Sequence, residues 1–90
     1  MYNNYPNPFN PSTTISFDLS SDTSEKTELV IYNVKGQEIK QLIRDQLLAG
    51  KHSVIWNGKD DNNRSVSSGI YFYQLKTGDV IQTKKMILMK

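Results

Sequence analysis

The alternation of apolar and polar residues along the chain predicts β-strands throughout and no helix. Residues 14–20 alternate strictly, with Ile15, Phe17 and Leu19 on one face. Residues 27–34 are apolar on both faces, as expected for a central strand that is covered on each side. Further strands are predicted in residues 37–43, 52–56, 70–75 and 80–90. Six or seven short strands at regular spacing predict an all-β fold, an antiparallel immunoglobulin-like β-sandwich.

Turns and one bulge are predicted between these strands. Residues 21–26 form a polar connection without Gly or Pro. Residues 44–48 could form a single helical turn but are predicted to be a loop. Gly36 follows Lys35 in a two-residue hairpin turn that requires positive φ. Gly58, in the loop after Trp56, is also predicted to have a structural role. In the partner strand of that hairpin, the spacing of Ile39 and Leu42 breaks the period of two and predicts either a bulge or a frayed strand end.

Trp56 is predicted to lie at the centre of the core. Ile70 and Phe72 are expected to face this core, while Tyr71 and Tyr73 cover the other surface of the same strand. The predicted neighbours of the tryptophan are Phe17, Ile31, Phe72 and Leu88. The last strand runs almost to the end of the sequence, so truncation there is expected to unfold the domain.

All three prolines lie between residues 6 and 11. Proline fixes φ and pushes the preceding residue toward extended conformations, so this segment is stiff. Tyr5 and Phe9 are predicted to anchor it to the domain. We therefore expect residues 1–4 to be an expression start or the remnant of an upstream linker, and residues 5–90 to be the domain, with 5–12 as its proline-rich N-terminal segment. Any cleavage is expected just before Tyr5.

Composition limits the classes of function that remain. A chain of 90 residues fits one domain, and the absence of cysteine excludes disulfides and thiolate metal sites. A net charge of +2 is too balanced to indicate a nucleic-acid partner. No apolar stretch is long enough for membrane insertion.

Candidate chemistry is sparse. His52 is the only histidine, and a nucleophilic triad needs a pocket and an orienting third group, so we interpret it as a surface residue and do not expect an enzyme. The loop at residues 57–64 carries oxygen ligands of the kind that calcium prefers, but their spacing is not that of an EF-hand. A turn-forming role is favoured, and calcium, the one cofactor considered, stays open as an alternative. Its candidate ligands are Asn57, Asp60, Asp61 and Asn62.

Two surface features suggest binding. Tyr71 and Tyr73, if exposed, could stack on sugar rings, although tyrosine is also common in half-buried strands. Lys84, Lys85 and Lys90 are predicted to lie on the last strand, where they either discourage edge-to-edge aggregation or are recognised by a partner.

Taken in order, several segments resemble one family. They are residues 5–11, 13–17, 31–37, 49–52, 56–60, 68–73 and 85–90. Over residues 4–90 the chain resembles the type A C-terminal sorting domain of the type IX (Por) secretion system. Asn63 stands where relatives often have glycine, and asparagine tolerates positive φ.

The resemblance implies a secretion address for an upstream cargo domain in the same chain. The implied partners are the outer-membrane translocon and a surface sortase that removes the domain in many cases. The implied route is through the periplasm to the cell surface or the extracellular space. Our hypothesis for the recognition surface comprises Gly69, Tyr71, Tyr73, Lys84, Lys85 and Lys90.

Two alternative functions stay open. The immunoglobulin-like domain of flagellar hook-capping proteins shares part of the pattern, and it would make this chain a structural or assembly module. A carbohydrate-binding module of a secreted glycoside hydrolase is the other alternative.

Overall fold

The computed structural model describes residues 1–20 and 26–90, so most of the predicted connection at 21–26 lies outside the described residues. Six strands are described: β1 (Thr13–Leu19), β2 (Thr27–Asn33), β3 (Glu38–Asp45), β4 (Gly50–Trp56), β5 (Gly69–Thr77) and β6 (Val80–Leu88). They form two antiparallel sheets, β1-β4 and β3-β2-β5-β6. The predicted all-β sandwich is confirmed. In the part of the chain that the structure describes, no helix could span a membrane.

The strand β2 lies inside the larger sheet, as its two apolar faces predict. Leu29 and Ile31 point into the core and are fully buried. Val30 points to the opposite face and is also buried. Glu28 and Tyr32 lie on the same face as Val30 and are half-buried. That face is therefore neither fully apolar nor fully polar, which explains why this strand shows no simple period of two.

The β2–β3 hairpin contains both of the irregularities that the sequence indicates. Gly36 has φ of 80°, but the turn is longer than two residues, because Asn33 N–H donates to the Gln37 carbonyl at 3.1 Å. The pairing register shifts twice, leaving Ile39 and Leu42 as extra residues of β3. The bulge prediction is confirmed, and β3 continues to Asp45, so the loop predicted at 44–48 begins later than expected.

Trp56 is fully buried between the two sheets, as predicted. Its ring lies 5.6 Å from that of Phe9 and 5.3 Å from that of Tyr71, measured between centroids. Close tilted and edge-on arrangements of this kind are favourable beyond the area that they bury. Three of the four predicted neighbours also belong to the buried cluster: Phe17, Ile31 and Leu88.

The prediction for the faces of β5 was wrong. Tyr71 and Tyr73 are 6% and 0% exposed, whereas Ile70 is 41% exposed and Phe72 is outside the core. Leu75 lies on the same side of the strand as the two tyrosines and is buried with them. The opposite side also carries Gln74 and Lys76, which favour water. Summed over the whole strand, the tyrosine side is therefore the better one to bury.

The buried Gly58 contacts the N-terminal segment, which gives a specific prediction. Its φ is 73°, and a Cβ there would lie 3.1 Å from the Pro11 carbonyl oxygen. Gly58→Ala is expected to lower the free energy of unfolding by about 2–4 kcal/mol, since backbone strain and a clash add together. Gly36→Ala is the matched control, because its φ is 80° but no atom lies within 4 Å of the added Cβ. Equal losses for the two variants in urea denaturation would contradict the packing role of Gly58.

Candidate functional site

The lysines of the hypothetical recognition surface do not share one face of β6. Lys84 pairs with Tyr73 on the core side and is half-buried, whereas Lys85 pairs with Phe72 on the outer side and is exposed. Lys90 follows the strand, and its N–H donates to Ser68 Oγ at 3.1 Å. The structure therefore distributes positive charge along the edge of β6. It does not assemble the three lysines into one flat patch.

Tyr71 and Tyr73 are not available to a partner, which corrects their assignment to the recognition surface. The Tyr71 hydroxyl donates to the Ser67 carbonyl at 2.6 Å. The Tyr73 hydroxyl donates to the Tyr2 carbonyl and accepts the Asn4 N–H, both at 2.9 Å. Burial raises the pKa of both phenols, because it disfavours the charged form. Both side chains thus fix the N-terminal segment and the loop before β5. Gly69 starts β5 opposite Leu88, beside the chain's end.

The N-terminal segment is anchored by Phe9 and not by the Tyr5 side chain. Phe9 is 2% exposed and packs in the core, but Tyr5 is 81% exposed. The Tyr5 backbone nevertheless pairs with Thr14. The Tyr5 N–H donates to the Thr14 carbonyl at 3.0 Å, and the Tyr5 carbonyl accepts the Thr14 N–H at 2.9 Å. The expectation that the Tyr5 ring packs on the sandwich was wrong because the segment is extended there, and an edge-paired residue can direct its side chain to solvent.

Residues before Tyr5 also belong to the packed unit. Asn4 is 3% exposed, and its side-chain amide donates to Thr13 Oγ1 at 2.9 Å. Tyr2 N–H donates to the Ser16 carbonyl at 3.0 Å. The Tyr2 hydroxyl donates to Asp18, and this hydrogen bond is the main cause that raises the pKa of Tyr2. Residues 2–5 therefore lie along the free edge of β1.

The same segment then crosses from the smaller sheet to the larger one. Phe9 N–H donates to the Ile87 carbonyl at 3.0 Å, and Met89 N–H donates to the Phe9 carbonyl at 2.9 Å, which makes a short parallel bridge with β6. Asn7 Oδ1 accepts the Ile87 N–H at 3.0 Å. The N-terminal segment and the end of β6 thus form one continuous edge of the sandwich.

The acidic loop uses its carboxylates to hold local backbone. Asp60 Oδ1 accepts the N–H groups of Asn62 and Arg64, both at 2.9 Å, and Asn63 adopts φ of 62°. Asp61 Oδ1 accepts the Gln41 N–H at 3.2 Å and lies 3.8 Å from Lys40 Nζ. These contacts support the turn-forming interpretation. Among residues 1–20 and 26–90, no group of three His, Cys, Asp or Glu side chains could hold a metal ion. Calcium binding by this loop, including Asn57 and Asn62, stays a prediction.

His52 lies on β4, and its ring contacts groups that hold the fold together. Its ring stacks on Phe17 with centroids 5.4 Å apart, and Nε2 lies 2.8 Å from the Leu48 carbonyl oxygen. The contact joins β4 to the loop that precedes it. No described nucleophile is paired with this ring.

An open groove of about 480 Å³ lies beside β1 and was not predicted from the sequence. Tyr2 and Tyr5 line it, and Lys51 Nζ lies 5.8 Å from the centre of the Tyr2 ring. Tyr2 and Tyr5 therefore present exposed aromatic rings, whereas Tyr71 and Tyr73, which the sequence suggested for that role, are buried. No pattern in the sequence separates Tyr2 from an unstructured start of the chain, so only the pairing of residues 2–5 with β1 reveals the groove.

The sequence model of a family described as "Secretion system C-terminal sorting domain" matches residues 3–89. This match includes all six strands and most of the N-terminal segment. A comparison with curated proteins gives no significant match.

Several solved structures share the fold. FlgD from P. aeruginosa has a TM-score of 0.64 and 25% identity, with 84% of this chain and 57% of that chain covered. FlgD from Xanthomonas campestris, described in connection with hook capping in flagellar assembly, has a TM-score of 0.63 and 23% identity, with 86% of this chain and 55% of that one covered. PorZ, a surface component of the type-IX secretion system of Porphyromonas gingivalis, has a TM-score of 0.66 and 17% identity. The alignment with PorZ covers 98% of this chain and 11% of that one. The chain thus spans less than two thirds of each of these proteins.

Proposed function

Because the chain belongs to the family of secretion-system C-terminal sorting domains, we propose that it directs an upstream cargo protein across the outer membrane through the type IX secretion system. The observation that carries this proposal is the family match over residues 3–89. The function needs a stable module that presents the same surface whatever cargo precedes it. A sandwich whose N-terminal segment is itself part of the packed edge meets that need.

The proposed partners are the outer-membrane translocon and a sortase at the cell surface. The cargo and the folded domain would pass through the periplasm and finish at the surface or outside the cell. Delivery of a reporter fused upstream of the domain tests this proposal. A reporter that stays in the periplasm would instead favour a structural module, for which the likeness to FlgD is the supporting observation.

The packing of residues 2–5 changes the expected place of any cleavage. The bond before Tyr5 joins a buried Asn4 to a residue whose backbone is paired with β1. A protease needs an extended, accessible segment, and such segments lie where few backbone hydrogen bonds are made. We therefore propose that any cleavage by the sortase occurs on the N-terminal side of Tyr2, and not just before Tyr5 as the sequence suggested.

The lysines near β6 are the charged part of the hypothetical recognition surface; Lys84 is half-buried, and Lys85 and Lys90 are exposed. Replacing Lys84, Lys85 and Lys90 with alanine together is expected to reduce export of a fused reporter about tenfold, because three surface charge contacts of about 0.5 kcal/mol each amount to that factor. Folding is expected to be preserved. The measurement is the fraction of reporter at the cell surface, with circular dichroism as the check on folding.

A matched control keeps the loss of charge but moves it away from β6. Lys26, Lys35 and Arg64 are exposed and lie outside this strand. Alanine at these three positions should leave export near the wild-type level. If both triple variants are exported like the wild type, the lysines near β6 are not recognised.

A further inference from the structure

The edge of β6 is only partly covered. Ile87 directs its N–H and C=O away from β5, since these groups bond to Asn7 and Phe9. The pairing of β5 with β6 has no register shift, so every second residue of β6 has the same orientation. Ile81, Thr83 and Lys85 therefore direct three N–H and three C=O groups outward. Within the described part of the chain, these groups have no backbone partner.

Two of the other three edges of the sandwich are covered. The edge of β1 is paired with residues 2–5. The edge of β3 is closed by Asp61, whose N–H donates to the Ile39 carbonyl at 3.0 Å, and it is distorted by two bulges. By the same alternation, Lys51, Ser53 and Ile55 direct their backbone N–H and C=O groups away from β1, and among residues 1–20 and 26–90 these groups have no backbone partner, so β4 forms a second open edge.

Two observations favour β6 over β4 as a docking site. The N-terminal segment already pairs with β6 as a short parallel strand at Leu88, so a longer added strand would continue an existing arrangement. Lys84 and Lys85 lie at the end of this open stretch and direct their side chains to opposite faces of the sheet, and β4 has no such pair of lysines. A strand added at this position would have one lysine beside each of its own faces.

We propose that the open edge of β6, residues 81–85, binds an extended segment of the secretion machinery by strand addition, with acidic side chains of that segment beside Lys84 and Lys85. The proposal rests on the sorting function proposed above. Backbone hydrogen bonds to Ile81, Thr83 and Lys85 would supply the affinity. Opposite charges in adjacent strands would set the register. The covered end at Ile87 would limit the added strand to about five residues.

Proline at position 83 tests this proposal directly. Proline removes the outward N–H without removing any hydrogen bond between β5 and β6, and edge strands tolerate it when that N–H faces solvent. Thr83→Val is the matched control, because both variants lose the hydrogen bond that Gln74 donates to Thr83 Oγ1 at 3.3 Å. We expect Thr83→Pro to lower reporter export about tenfold relative to Thr83→Val, as expected when a donor is lost and the ring obstructs the partner.

Two further variants keep the outcome unambiguous. Ser53→Pro makes the same change at the open edge of β4 and is expected to leave export unchanged. Ile81→Pro, compared with Ile81→Val, repeats the test if the melting temperature of Thr83→Pro shows that it does not fold. Equal export of the proline and valine variants, or a larger loss from Ser53→Pro, would overturn the inference. Failure of the wild-type fusion to be exported would instead refute the proposed function itself.

Discussion

Phe9→Ala is expected to lower the free energy of unfolding by about 3–5 kcal/mol, the range for large-to-small changes in a core. The Phe9 ring packs against Trp56 between the sheets, although it lies in the N-terminal segment, before the first strand. Its removal leaves a cavity between the N-terminal segment, Trp56 at the end of β4 and the end of β6. A domain of this size has only about 5–15 kcal/mol in total, so the variant should be close to unfolding at 37 °C. Urea denaturation followed by tryptophan fluorescence measures the loss.

Tyr5→Ala is the control within the same segment. Its ring is exposed and its contribution comes from backbone pairing with Thr14, which alanine retains. The expected loss is below about 1 kcal/mol, as for most surface substitutions. Similar losses for Phe9→Ala and Tyr5→Ala would mean that the segment is not anchored as the structure shows.

Deletion of residues 87–90 is expected to abolish the folded state. It removes the buried Leu88 side chain, which alone is worth about 2–5 kcal/mol in a core. It also removes the backbone bridge between Phe9 and the end of β6, and it exposes the Phe9 ring. Loss of dispersed amide signals in the NMR spectrum of the deletion variant would be the expected result.

Deletion of Lys90 alone provides the comparison for that truncation. This residue donates one exposed hydrogen bond to Ser68, and its loss should change the melting temperature by only a few degrees. If the longer deletion stays folded, the C-terminal end of β6 is not part of the core. If the shorter one unfolds, the contribution of Lys90 is larger than its contacts explain.

The sequence predicted the architecture because strand periodicity and turn residues are local signals. One bulge in β3 and the positive φ of Gly36 and Asn63 were predictable for the same reason, whereas the second register shift of β3 was not predicted. The orientation of β5 was not, since both of its faces begin with large apolar residues. Leu75 on one face and Lys76 on the other decide the orientation, but that signal appears only when the whole strand is considered.

The site was less predictable than the fold because it depends on long-range pairing. Phe9 and Tyr5 are similar aromatic residues in one stiff segment, and only the crossing of that segment between two sheets separates the buried ring from the exposed one. The open edge of β6 likewise depends on where Phe9 ends its pairing. Hydrogen bonds between residues that are far apart in the chain leave no periodic pattern in the sequence.

The most direct test of the sorting function is the location of a fused reporter. Residues 1–90 would be joined to the C-terminus of a periplasmic reporter and expressed in a host with an active type IX system and in the same host without its translocon. External protease then measures the fraction of reporter on the surface. If the domain is a sorting signal, the wild-type fusion reaches the surface only in the first host. The Phe9→Ala fusion, whose domain is unfolded, is not expected to reach the surface in either host. Equal periplasmic retention of the wild-type fusion in both hosts would contradict the sorting function.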